Sequence, residues 1–499
     1  SVSEWLASEL STYDKAVVGL DGNVNSFAEV AAMEQELATK GNITVRTDAD
    51  PMAELWTDRP VIPDNMVSLH PLEYSGESTS SKISRVRKHL LDCGADGLLV
   101  TALDEIAWVL NLRGSDVHCN PVFVSYLLIS PENITLYINN VKLPDDVKAY
   151  LTSEHIEVQA YDSVVEGLRL YAGKSLLVDM SSTNYSLATA VPFEKVCSGV
   201  SPIASMKAVK NKVEQDGFRA AMLRDGVAVV KFLAWLKSAV EAGGQTEISL
   251  DDRLTALRAE QPKFKGISFD TIVGYEAHGA IVHYEATPET DIPVQPHGLV
   301  LIDSGAQYLD GTTDITRTIA LGELSEEQRR VYTLVLKGHI QLDRCRFPAG
   351  ACGSQIDALA RAPMWREGYN YMHGTGHGVG SYLNVHEGPH QIRMEWRPAP
   401  LQAGMTVTNE PGIYLEGKFG VRIENTLLIV PAESTAFGDF LKFETLTLAP
   451  IDTTPIVLEM LSTEEREWLN NYHHRIYESL SPYLEGNEKE WLRKATLPI

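Results

Sequence analysis

Apolar positions recur along this chain in two alternating periods. From Ser1 to about Gly76, the amphipathic segments WLASEL and SFAEVAAMEQEL alternate with the β-branched runs KAVVGLD and NITVRTD, which predicts helix, strand, helix, strand. The same grammar returns from Ser80 to about Ala204: helix SSKISRVRKHLLDCG ending on glycine, strand GLLV, helix DEIAWVLNL, then PVFVSYLLIS and ITLYI joined by the turn PEN. Two consecutive α/β units are expected, the first of them incomplete.

A helical stretch then runs from near Lys207 to about Gly243, long enough to suggest two abutting helices. After it the period shortens to that of strands: FDTIVG, AIVHYE, GLVLIDSGAQYL, TDITRTIAL, TVTNEPGIYL and GVRIENTLLIV, bounded by Gly and Asp turns. Such runs suit an antiparallel sheet. The capping-box sequence Ser325-Glu326-Glu327-Gln328 opens a helix reaching about Arg344, and a second helix is expected from Gly353 to Gly368. The tail ends in a helix capped at Ser462, read as a packing or dimer element. Helices interspersed with antiparallel strands predict an α+β domain with helices on a curved sheet.

Composition narrows the function classes. The 499 residues are 44% hydrophobic and 22% charged, ordinary globular values that suit about three domains. With 43 Lys and Arg against 67 Asp and Glu, the formal charge is −24, which opposes nucleic acid or an anionic membrane as the main partner. Cys93, Cys119, Cys197, Cys345 and Cys352 are scattered without metal-ribbon spacing, as expected of reduced thiols in a cytoplasmic protein. The most apolar stretch, Pro121 to Ser130, falls short of the roughly 20 residues a spanning helix needs. The opening sequence has no secretory-leader pattern.

Carboxylates in strands point to chemistry. Asp303 and Asp314 fall on neighbouring strands of one predicted hairpin, although Asp is depleted in strands. Asp310, beside Gly311, is read as a turn residue. Glu410 and Glu424 lie seven residues on either side of Gly417, so symmetric pairing sets them face to face, an arrangement that calls for a cation between them. Pro411 suggests a local bulge. In His373-Gly374-Thr375-Gly376-His377-Gly378-Val379-Gly380 the histidines are spaced as in the HExxH zinc helix. Gly374 stands where glutamate is needed, however, and four glycines oppose a helix. The glycines are expected to bring backbone close to a ligand. His386 follows, and His283 is placed in a strand. Four carboxylates and one imidazole favour a pair of Mn²⁺, Co²⁺, Fe²⁺ or Zn²⁺ ions and metal-assisted hydrolysis.

At these residues the chain resembles the aminopeptidase P (Xaa-Pro aminopeptidase) members of the pita-bread metallopeptidase family, through LIDSGAQYLDGTTDITRT, HGTGHGVGSYLNVHEGP, TNEPGIY and VRIEN. The resemblance spans about residues 205 to 435 and implies a ligand set of Asp303, Asp314, His377, Glu410 and Glu424 holding two ions, commonly manganese. It implies that Asp303 binds one ion, His377 and Glu410 the other, and Asp314 and Glu424 both, with a bridging hydroxide as nucleophile. By the same resemblance Glu410 is the general base, His283 and His386 flank the scissile carbonyl, and His373 shapes a proline pocket. Arg422 is expected to orient the bridging carboxylate. The long three-domain form implies the remainder of a first creatinase-like domain over 1–77, a second over 78–205, the catalytic domain over 206–435 and an extension over 436–499. A homodimer acting on peptides with a penultimate proline is implied. Prolidase is the nearest competitor. Methionine aminopeptidase fits the N-terminal region poorly, and the intact ligand set counts against a creatinase-type hydrolase or a non-catalytic peptide-binding protein.

Overall fold

The computed structural model describes all residues from Ser1 to Ile499, which divide into two compact units. The first takes in Ser1–Leu72, Glu77–Val117 and Pro121–Ala204. Its six-stranded mixed sheet runs Val196–Ser198, Leu176–Val178, Gly97–Val100, Tyr126–Ile129, Ile134–Tyr137, Ile156–Gln159. Gly97–Val100 is buried throughout, which explains why it reads as an unbroken apolar run. The earlier strands Ala16–Gly19 and Ile43–Arg46 form a separate parallel pair. Helix Phe27–Lys40, capped by Ser26, joins the rest through a Phe27–Tyr185 ring stack at 5.6 Å and a bridge between Ser26 and Asn184.

The second unit comprises Ser205–Ile499 with the short segments Glu73–Gly76 and His118–Asn120. Its long helix is undivided: Asn211 caps Lys212–Ala242, 31 residues without a break. The stretch that begins near Lys207 is nonetheless divided, because helix Pro202–Ala208 ends before Asn211, and the glycines inside the longer helix serve packing. A Cβ at Gly217 would stand 2.3 Å from the Asp310 carbonyl oxygen, and one at Gly226 would stand 2.4 Å from that of Leu448. Ser325 caps Glu326–Asp343 through a capping box, and Ser462 caps Thr463–Leu480 in the same way. Both helices share one apolar core, to which the tail contributes Ile451, Leu469, Tyr472, Ile476 and Leu480.

All strand pairs of this unit are antiparallel. Leu299–Ser304 lies between Ile272–Tyr275 and Ile315–Ala320, with Asp303 opposite Thr316. Asp310 does close the adjoining turn, but its carboxylate also binds Arg224 and, at 2.9 Å, Lys263. The second hairpin pairs Gly412 with Arg422 and Leu415 with Phe419, symmetrically about Gly417. Asn409 pairs with Asn425 in the same register, so the bulge expected at Pro411 is instead an interruption without a slip. In the gap, Glu410 N–H donates to Thr375 O at 2.8 Å and Glu424 N–H to Thr316 O at 3.1 Å. The two glutamates thus leave their ladder and take backbone partners on other segments.

AIVHYE is not a strand. Glu276–Ala280 is a short 3₁₀ turn, and His283 follows on irregular backbone. The buried Glu247 carboxylate holds this loop, accepting from Tyr275 N–H at 2.8 Å, His278 Nδ1 at 2.9 Å and Tyr284 OH at 2.9 Å.

Candidate metal centre

Five side chains from two hairpins and the glycine-rich segment meet at one cavity of about 510 Å³: Asp303, Asp314, His377, Glu410 and Glu424. Asp303 sits near the end of Leu299–Ser304, and Asp314 immediately precedes Ile315–Ala320. Ligand atoms of Asp314, His377 and Glu424 all lie within 4.8 Å of one another. His377 Nε2 is 3.4 Å from both Asp314 Oδ2 and Glu410 Oε1. Its Nδ1–H donates to Gly378 O at 2.9 Å, which leaves Nε2 as the nitrogen available to a cation.

Electrostatics make this a site that calls for cations. Burial pushes the Glu410 carboxyl up to about 7 and the Glu424 carboxyl well above the usual range, with Asp314 and Asp303 adding repulsion at Glu424. Burial also raises Asp303, against the pull of Arg422. Burial lowers His377, but the carboxylates of Asp314 and Glu410 outweigh it and bring the imidazole up to about 9. Protons are therefore retained where positive charge is needed, and divalent ions would displace them. Asp303 Oδ1 is buried without a hydrogen-bond partner, an orphaned acceptor aimed at the same need. The oxygen-rich donor set fits two hard or borderline divalent ions.

A fixed outer layer aims these groups. Arg422 binds Asp303 Oδ2 through Nη2 at 2.6 Å and Nε at 3.2 Å, and donates from Nη1 to Tyr414 OH at 2.8 Å. The expected partner was Glu424, but that carboxylate takes its hydrogen bond from Thr316 OH at 2.8 Å. Adjacent strands, with Asp303 opposite Thr316, determine this exchange of partners. Tyr414 OH donates to His373 Nε2 at 2.8 Å, and His373 Nδ1–H donates to Gly374 O at 2.7 Å. Tyr414 and Thr316 escaped sequence reasoning because both are ordinary strand formers. The available signal was register, since Tyr414 pairs with Gly420, two residues from Arg422.

The glycine-rich segment forms the short strand Gly376–Gly378. Its glycines admit neighbouring backbone, since a Cβ on Gly376 would stand 1.9 Å from Thr408 O and one on Gly378 would stand 2.4 Å from Glu387 O, while Gly374 and Gly376 also line the cavity. His283 and His386 are exposed on the cavity wall, with the His386 and His377 rings 4.2 Å apart, edge to face. Next to His386, Glu387 is buried and paired with both Lys207 and Lys210, an anchor that sequence reasoning also missed.

Comparison with known proteins agrees with this geometry. Metallopeptidase family M24 matches residues 216–431, a creatinase/prolidase N-terminal domain matches 58–214, and a C-terminal region of peptidase M24 matches 439–499. Aminopeptidase P1 of Arabidopsis thaliana is 39% identical over all of this chain and 85% of its own length. A probable Xaa-Pro aminopeptidase P of Arthroderma gypseum is 39% identical over 99% and 81%. The X-prolyl aminopeptidase of Caenorhabditis elegans, described as a cytosolic enzyme with a di-nuclear active site, superposes with a TM-score of 0.94 at 35% identity, covering 100% of this chain and 83% of that one. An Xaa-Pro dipeptidase from Bacillus anthracis reaches only 0.62 at 26% identity, covering 76% of this chain and 100% of its own. This chain, with its creatinase-type N-terminal region and antiparallel pita-bread unit, therefore belongs to metallopeptidase family M24, among the aminopeptidases P.

Proposed function

We propose that this protein hydrolyses the bond between an N-terminal residue and a penultimate proline, as a metal-dependent aminopeptidase. The observation that carries this reading is the cluster of four carboxylates and His377 facing one cavity, with His283 and His386 exposed on its wall. In the assignment we favour, Asp303 holds one divalent ion, His377 and Glu410 hold the other, and Asp314 and Glu424 serve both. Manganese is the ion we propose. When bound, the pair would supply Lewis-acid polarisation and an ionised water near neutral pH.

The chain's own groups do the rest. Glu410 takes up a proton during attack and returns it to the proline nitrogen as that nitrogen leaves. His283 and His386 steady the negative charge that develops on the carbonyl oxygen. His373, held by Tyr414, lines the pocket for the proline ring, and Arg422 orients Asp303. The surplus of carboxylates attracts the α-ammonium of a peptide, which favours an aminopeptidase. The four-part division at residues 77, 205 and 435, a homodimeric assembly and a cytoplasmic location complete the reading. The boundaries near 205 and 435 are supported by the junctions of the family matches, which end at 214 and 431, and the location by the cytosolic description of the C. elegans protein.

The test compares an Xaa-Pro-Xaa tripeptide with an Xaa-Pro dipeptide, using chelator-treated protein with and without restored Mn²⁺. Metal-dependent release of the first residue from the tripeptide, with little dipeptide cleavage, is the expected result. Preference for the dipeptide would make the protein a prolidase, and cleavage of neither would remove the catalytic reading.

A further inference from the structure

A second group of side chains able to hold a metal reaches the same cavity through one member, Asp270, and plays no part in the assignment above. His118, Cys119 and Asp270 bring a ring nitrogen, a thiol sulfur and a carboxylate oxygen within 4.8 Å of one another. His118 Nε2 is 2.7 Å from Asp270 Oδ1, with the two side chains 72% and 50% exposed. Asp270 also lines the cavity.

The arrangement is built by the fold. Side chains of consecutive residues in extended backbone diverge, but Cys119 has φ of 60°, and this turn directs its sulfur and the His118 ring to a common point. Gln307 pins the turn by donating from Nε2 to Cys119 O at 3.2 Å and to Leu383 O at 2.8 Å. One residue on, buried Asn120 Oδ1 has no hydrogen-bond partner. Asp270 comes from a stretch 150 residues away in sequence. Burial, with Asp270 next in effect, pushes the Cys119 thiol up to about 11, so without a cation the sulfur keeps its proton.

We propose that His118, Cys119 and Asp270 form a third, sulfur-containing metal site that takes a zinc-class divalent cation and ties residues 118–120 to the cavity rim. A thiolate, an imidazole and a carboxylate are the ligands such an ion prefers, with water completing a tetrahedron. On binding, the metal–sulfur bond replaces the S–H bond and the proton passes to solvent. Three ligands and an exposed setting make an exchangeable site, not a structural one.

The catalytic set contains no sulfur, so the two kinds of site can be read separately. The protein, freed of metal, is titrated with Co²⁺ and followed by its thiolate-to-cobalt charge-transfer absorption. The expected result is a sulfur band whose full intensity corresponds to one thiolate-bound ion per chain, and which is abolished in Cys119→Ser and displaced by Zn²⁺. Losing even an outer-layer partner of a metal ligand weakens binding by about 10- to 100-fold, so His118→Ala and Asp270→Asn should each weaken the band by at least about tenfold. Absence of a sulfur band, or a band unchanged in Cys119→Ser, overturns the proposal. A band indifferent to both His118→Ala and Asp270→Asn does the same. The result does not depend on peptidase activity.

Discussion

Glu410 and Arg422 sit on one hairpin and face the same cavity, yet they should fail in different ways when altered. Glu410→Gln keeps the shape and one oxygen donor but cannot hold a proton in transit. Turnover of a Xaa-Pro-Xaa peptide should fall by about 10²- to 10⁴-fold, while metal analysis finds at least one ion retained. Near-native turnover would remove Glu410 as the base. Arg422→Lys keeps the charge but loses the fork that grips Asp303 Oδ2 through two nitrogens and reaches Tyr414 through a third. Metal affinity, measured by chelator competition, should drop by about 10- to 100-fold with circular dichroism unchanged. Equal affinity would show that Asp303 is positioned by its backbone alone. Neither Arg422's true partner nor Tyr414's part was legible in the sequence, because i, i+2 spacing gives a shared strand face and says nothing of what lies across it.

Whole elements bring these residues into place, and two of them have measurable tolerances. The strand Gly376–Gly378 threads between Thr406–Asn409 and Glu387–Ile392 at a distance that excludes a Cβ at Gly376. Gly376→Ala should cost about 1–3 kcal/mol and shift His377. Differential scanning fluorimetry would register a lower melting temperature and a reduced response to added metal, and an unchanged response would separate that glycine from the metal centre. On helix Glu326–Asp343, Asp343 is buried, accepting from Thr445 OH and Trp468 Nε1 at 2.8 Å each, and burial pushes its carboxyl up to about 6. The folded state thus favours the protonated acid over the unfolded one, which ionises near pH 4. Stability from this group is full below that pH and is lost as pH rises through about 6, at a cost of up to about 3 kcal/mol. Asp343→Asn can serve both partners while staying neutral. Its melting temperature relative to the native protein should therefore be more favourable at pH 7 than at pH 4, and a pH-independent difference would place the penalty elsewhere.

For the molecule as a whole, the C-terminal extension belongs to the core of the second unit. Arg317, next to Thr316, donates to the carbonyls of Glu424, Ala449 and Pro450 and to Tyr472 OH. Ile451, Leu469, Ile476 and Leu480 are buried with the long helices. A chain ending at residue 436 should lose cooperative unfolding in a thermal melt, even though the family's catalytic match ends at residue 431. A sharp transition would mean that the extension is dispensable.

The sequence determined what is local or periodic. Helix starts at Ser325 and Ser462 follow from side chains capping their own amides. The symmetric register about Gly417 follows from a short turn, and Asp303, Asp314, Glu410 and Glu424 stood out because carboxylates are depleted in strands, while the five-residue set with His377 came from the family resemblance. Only the tertiary structure decided what depends on contacts between distant segments. It turned the AIVHYE stretch into a loop held by Glu247, set the glycines of Lys212–Ala242 against carbonyls of other segments, and gave Arg422 to Asp303 instead of Glu424. In each case the deciding atom lies far away along the chain, where neither hydrophobic period nor motif spacing carries information.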